Sequence, residues 1–238
     1  MKIISLNAYA GTLFEPVMAF IEQHKADTDV FCFQEVLTTD RVDIVTTPGG
    51  NRANFFHELS DCLPDFQSYF TGMLDNVDTS YVTVPGVVFG LATFIKKPLV
   101  MASTQELAIC NNRALFDPKD GNTNPAMAQV FEIAVEDHQL TICNAHGTYF
   151  PVDKRDCPKR LEQSQKILNA LKDRPGEKII MGDFNLFPDT ESIRMFTTAG
   201  YRNLIADYKI QSTRGSMNKQ LHPEFANGKY GFQEYADY

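Results

Sequence analysis

The chain reads as an α/β fold, one domain over residues 1–238 built of two packed β-sheets with helices outside. Three observations point there. A strand–helix–strand pattern near the N-terminus delivers Glu35, and a second one, late in the chain, delivers Asp183. Between them lie five strand-like runs in succession, a pattern that fits paired sheets better than a helical bundle. At 238 residues and 43% hydrophobic content, the chain can bury a substantial core.

Taken in order, Lys2 to Leu6 reads as a strand. Glu15 to Lys25 has helical apolar spacing, with Val17, Met18, Phe20 and Ile21 on one side and Pro16 near the start. Asp29 to Phe33 is a buried strand that ends at Gln34-Glu35. Residues Thr38 to Asn54 are polar and contain Pro48-Gly49-Gly50-Asn51, a loop signal, and Asn54 to Leu63 reads as a helix. The five strand-like runs are Phe66 to Thr71, Val87 to Ile95, Leu99 to Leu107, Ala128 to Glu136 and Gln139 to Asn144, with Asp137-His138 as a tight hairpin turn between the last two. Lys159 to Leu171 is a helix with Leu161, Ile167, Leu168 and Leu171 as its apolar stripe, ended by Arg174-Pro175-Gly176. Lys178 to Met181 is a short buried strand leading into Gly182-Asp183-Phe184-Asn185, and Asp189 to Ala199 is a helix closed by Gly200. The sequence contains no short-period repeat, linker or low-complexity tract.

Net charge is −8, which argues against a broad basic face for gripping duplex DNA. It leaves room for a small phosphate pocket, where a bound cation would set the local field. The five cysteines form no C-x-x-C pair, and Cys32 and Cys143 fall in apolar runs as small core residues. The N-terminal apolar run is too short for a signal-peptide core and no stretch reaches transmembrane length, so the expectation is a soluble, cytoplasmic protein.

Four predicted strands end in polar residues: Asn7, Glu35, His146, and Asp183 with Asn185. A rigid sheet positions the loops after its strands, and active sites gather there. An amide, two carboxylates and an imidazole suit a Mg²⁺-assisted phosphoryl site, because Mg²⁺ takes oxygen ligands and needs only one or two protein carboxylates. Asp183 and Asn185 stand two positions apart, the spacing that places side chains on one side of a strand end. His24, His57 and His138 sit in helix or turn contexts and read as structural. Lys154-Arg155 with Lys159-Arg160 reads as a solvated helix start that also lies where it could guide an anionic substrate.

Ser5-Leu6-Asn7, Phe33-Gln34-Glu35-Val36, Asn144-Ala145-His146 and Gly182-Asp183-Phe184-Asn185 resemble, in order and context, the motifs of the endonuclease/exonuclease/phosphatase superfamily (DNase I-like metal-dependent phosphoesterases). Thr213-Arg214 and Tyr235-Ala236-Asp237-Tyr238 look like its later motifs. The resemblance implies a four-layer α/β sandwich and hydrolysis of phosphodiester or phosphomonoester bonds with Mg²⁺ or Mn²⁺. By the same resemblance, Glu35 is the principal metal ligand, and Asn7 lies beside it as a further metal ligand or as a partner of the ligands. Asp183 orients or deprotonates the attacking water, or helps hold metal. His146 donates to a phosphate oxygen and Asn185 stabilises transition-state charge. Arg214 approaches the phosphate, and Asp237 corresponds to the acid that orients a catalytic histidine. The resemblance leaves nucleic acid, inositol phosphate and phospholipid open as the phosphorylated partner. The family's Ser-Asp-His motif, which follows the segment like Tyr235–Tyr238, has no counterpart before the last residue, Tyr238. The expectation is therefore a C-terminally incomplete domain lacking its last strands. The alternative is a catalytically impaired relative that binds a phosphorylated ligand or a partner.

Overall fold

The computed structural model describes residues 1–97, 99–111, 113–135 and 138–214; Asp237 and the segment like Tyr235–Tyr238 lie outside the described residues. The strands form two four-stranded sheets. The first contains β1 (Ile3–Asn7), β2 (Val30–Thr39), β3 (Phe66–Val77) and β4 (Thr83–Lys96), in the order β1-β2-β4-β3. The second contains β5 (Val100–Cys110), β6 (Ala126–Val135), β7 (His138–His146) and β8 (Glu177–Asp183), in the order β5-β6-β7-β8. β1 pairs parallel with β2, and β7 pairs parallel with β8. The remaining pairings are antiparallel, so both sheets are mixed.

The two parallel pairs require crossovers, and each crossover is a helix. Helix α1 (Phe14–His24) joins β1 to β2, and α3 (Pro158–Leu171) joins β7 to β8. Helix α2 (Phe55–Cys62) follows β2, while α4 (Glu191–Thr198) and the short α5 (Leu204–Asp207) follow β8. On one outer face, Ile21, Phe55 and Leu59 pack on Phe31, Phe33 and Phe94 of the first sheet. On the other, Ile167, Leu171, Ile193 and Phe196 pack on Ala128, Val130 and Cys143 of the second. Between the sheets, Val30, Cys32 and Ile95 meet Phe131, Ile133, Ile142 and Met181. Helices, sheet, sheet and helices thus make the four-layer α/β sandwich that the motifs implied.

Several boundaries differ from the sequence reading, for local reasons. The polar Gln34-Glu35 pair looked like the end of a strand. It is instead a bulge inside β2, with the register against β4 shifting between Phe33 and Val36. β3 likewise runs on past Thr71 through two register shifts to Val77. Val135 pairs with His138, so His138 belongs to β7, and residues 136–137 lie outside the described residues. In α3, Ile167 and Leu171 are buried as expected, but the first half of the buried face is Arg160, Gln163 and Ser164. Among the described residues, no helix is long and apolar enough to cross a membrane.

Candidate active site

The parallel pairings bring the polar strand ends together. Asn7 is opposite Gln34 in the β1–β2 register, and His146 is opposite Asp183 in the β7–β8 register. Stacking the sheets then closes the distance between the two halves. Ligand atoms of Glu35, His146 and Asp183 all lie within 4.8 Å of one another. His146 Nε2 stands 4.0 Å from Glu35 Oε1. Asn7 ties the carboxylates together, its Nδ2 donating to Glu35 Oε1 and to Asp183 Oδ2 at 2.9 Å each. Asn7 Oδ1 accepts the Tyr9 N–H at 3.0 Å, which fixes the amide so that its nitrogen faces the acids.

Backbone conformation does part of the aiming. Glu35, at the bulge, has φ 55°, and Asn185 has φ 52°. Left-handed backbone at residues other than glycine is uncommon and concentrates at functional sites. Asp183 Oδ1 accepts the Asn185 N–H at 2.9 Å, and Asn185 Nδ2 donates to the Gly147 carbonyl at 3.2 Å. That bond uses one of the two amide hydrogens of Asn185 and leaves the other for a ligand.

The two acids are tuned in opposite directions. Burial pushes the Glu35 carboxyl above the ordinary carboxylate range, against the lowering effects of His146, Asn7 and Arg214. Burial also acts upward on Asp183, but Lys154, His146, Asn7 and the Asn185 N–H outweigh it, and its pKa lies below the ordinary value. Asp183 is thus held ionised while Glu35 carries the unmet cost of a desolvated charge. Two hard carboxylates and an imidazole, converging on one point, fit a divalent cation. His146 Nδ1 is buried with no hydrogen-bond partner among the described residues, so the ring has a nitrogen beyond the one facing Glu35.

Asn7, Glu35, His146, Asp183 and Asn185 therefore come together. Arg214 is half-buried and near enough for its charge to act on both Glu35 and Tyr149. Asp237 lies outside the described residues.

The basic cluster after His146 differs from its sequence reading. Lys154 is 1% exposed, has φ 55°, and acts on Asp183. Arg160 is fully buried and donates to the carbonyls of Arg155 at 2.6 Å, Tyr149 at 3.3 Å and Pro151, and to Asp153 Oδ1 at 3.3 Å. It pins the loop after β7 from inside. Arg155 keeps the expected solvated role, pairing with Asp189 at 2.7 Å and lying 4.6 Å above the Phe187 ring, and Lys159 makes an exposed bond to the Asn122 carbonyl. The only sequence signal for a buried Lys154 was its place soon after a strand-end histidine.

Two stacked mixed sheets with acids, amides and an imidazole at one end define a DNase I-like α/β sandwich. A model of the endonuclease/exonuclease/phosphatase family matches residues 4–236, and the chain belongs to that family. No curated protein matches it in sequence. Among solved structures, it resembles an endonuclease/exonuclease/phosphatase family protein from Leptotrichia buccalis C-1013-b (TM-score 0.60, 17% identity, 84% of this chain and 72% of that one). It also resembles a mannosyl-6-phosphatase of Bacteroides thetaiotaomicron VPI-5482 (TM-score 0.55, 14% identity, 83% and 66%). A humanized D. rerio TDP2 matches with TM-score 0.52, 12% identity, 85% and 67% coverage. At these identities the likeness is one of fold.

Proposed function

We propose that the protein is a divalent-metal-dependent phosphoesterase that hydrolyses a phosphodiester or phosphomonoester by in-line attack of water. The observation that carries this reading is the convergence of Glu35, His146 and Asp183 from three strands to within 4.8 Å. Glu35, with Asp183, would hold Mg²⁺ or Mn²⁺; when bound, the ion offsets phosphate charge and polarises the phosphoryl group.

The chain's own groups supply the rest. Asp183, held ionised, accepts a proton from the attacking water and orients it. Asn7 keeps the two carboxylates at fixed separation, with its nitrogen toward both. His146 donates from a ring nitrogen to a non-bridging phosphate oxygen. Asn185 offers its second amide hydrogen to charge that grows in the transition state. Arg214, whose charge reaches Glu35, supplies a cation on the side of the incoming anion. Lys154 acts through Asp183, by favouring its ionised form. For a protein of net charge −8 we place a compact phosphorylated substrate ahead of non-specific duplex DNA.

The test is turnover of bis(p-nitrophenyl) phosphate and p-nitrophenyl phosphate with Mg²⁺ or Mn²⁺, in wild type and Glu35→Gln. Metal-dependent hydrolysis that disappears in the variant supports the reading. Hydrolysis retained in Glu35→Gln overturns it.

A further inference from the structure

The space between the sheets is not wholly apolar. Gln34 Nε2 on β2 donates to Asn144 Oδ1 on β7 at 2.6 Å. Asn144 Nδ2 donates to Thr93 Oγ1 at 3.1 Å and to Gln129 Oε1 at 3.2 Å. Thr93 Oγ1 donates to Gln129 Oε1 at 2.7 Å, and Gln129 Nε2 donates to Thr71 Oγ1 at 3.0 Å. Gln34, Thr93 and Asn144 are each 0% exposed, and Gln129 is 2% exposed. The ladder stitches β2 and β4 of one sheet to β6 and β7 of the other, just inside the site.

Its two innermost members bracket the candidate ligands. Gln34 precedes Glu35 in the β2 bulge, and Asn144 is two residues before His146 on the same strand, hence on the same face. The bulge sets two adjacent side chains of β2 on this side of the sheet. Gln34 reaches inward to Asn144, and Glu35 reaches outward to Asn7 and His146. Two well-packed leucines would seal the sheets without burying amides. They would also avoid the Gln34 Oε1 acceptor, which is buried with no partner among the described residues. Burial energy therefore does not account for the pair, whereas a directional bond across the sheets fixes how far Glu35 stands from His146.

We infer that Gln34 and Asn144 are positioning residues, an amide bridge that sets the Glu35–His146 separation and so the fit of the site for its cation and phosphate. This rests on the reading of that site given above. Partners of this kind, one layer behind metal ligands, typically cost about 10–100-fold in metal affinity or activity when removed.

The test compares Gln34→Leu, Asn144→Leu, the double variant and Glu35→Gln. Three readouts are needed: Mn²⁺ affinity by electron paramagnetic resonance titration, kcat and KM on bis(p-nitrophenyl) phosphate with Mg²⁺, and urea stability of the metal-free protein. Each single variant strands a buried partner and loses stability, while the double variant removes both ends of the bridge and recovers part of that loss, short of the bonds that Asn144 Nδ2 gives to Thr93 and Gln129. Positioning predicts that the double variant still binds Mn²⁺ about tenfold more weakly and has a kcat down about 10–100-fold, with KM little changed. A double variant with wild-type Mn²⁺ affinity and kcat would overturn the inference. Gln34→Met, which keeps the unbranched shape and removes only the amide, carries the same expectations if the double variant does not fold. Glu35→Gln separates the two ideas: wild-type Mn²⁺ affinity in that variant would mean that the reading of the site itself is wrong.

Discussion

Gly182→Ala tests how the sheet delivers Asp183. Gly182 has φ +133°, and a Cβ there would stand 1.9 Å from the Ala145 carbonyl oxygen and 2.8 Å from the Ala145 nitrogen. Ala145 is its partner in the parallel β7–β8 pairing, so the obstruction is backbone and cannot rotate away. Holding alanine at such a φ costs on the order of 1–3 kcal/mol. Relieving the overlap requires the strands to separate at their C-terminal ends, which strands buried amide groups at about 1–3 kcal/mol each. The expected loss is about 4 kcal/mol, a large share of the roughly 5–15 kcal/mol that stabilises a typical domain. Gly200→Ala is the control: φ there is +95°, with no heavy atom within 4 Å of the added Cβ, so only the conformational cost remains. Urea unfolding followed by circular dichroism reads both. Equal losses in the two variants, or a loss below about 1 kcal/mol in Gly182→Ala, would refute the argument from close approach.

Other outcomes follow from the same geometry. The raised Glu35 pKa gives metal-free protein a stability contribution that is present below the unfolded carboxylate pKa and lost as pH rises through the folded one. Glu35→Gln should therefore be more stable than metal-free wild type at neutral pH, by about 0.5–2 kcal/mol, and equal to it in acid, as read by thermal melts across pH. The lowered Asp183 pKa has the opposite sign, contributing stability above the ordinary carboxylate pKa that is lost as pH falls through the folded value. Asp183→Asn should thus be the less stable protein at neutral pH, and the difference should close in acid. Lys154→Met should raise the Asp183 pKa in metal-free protein, followed by carboxyl carbon NMR; an unmoved titration would remove Lys154 from the account. Arg160→Met strips the loop carbonyls of Tyr149, Pro151 and Arg155 of a buried donor and should cost about 3 kcal/mol in urea unfolding.

Much of the fold was legible in the sequence, because short apolar runs and helical spacing are local signals. Ile3–Leu6, Val30–Phe33 and Ile179–Met181 announced the strands, and the polar residues at their ends are ones that the fold brings together. What escaped was set by tertiary contact. Glu35 reads as a strand end because a bulge looks the same as a terminus when only the polar pair is seen. Lys154 and Arg160 have the composition of a solvated helix start, and only the folding of the 147–157 loop over α3 buries them. The Gln34–Asn144 bridge joins residues 110 positions apart, a pairing that no local pattern encodes. Arg214 comes near enough for its charge to act on Glu35 from the far end of the described chain, a proximity that no local pattern encodes.

The central claim is that Glu35 and Asp183 hold a divalent cation beside His146. Crystals grown with Mn²⁺, and measured for anomalous scattering, test it most directly. The account predicts a peak at coordination distance, about 2.0–2.2 Å, from oxygens of both acids. A protein saturated with Mn²⁺ elsewhere, with no peak between Glu35 and Asp183, would contradict it.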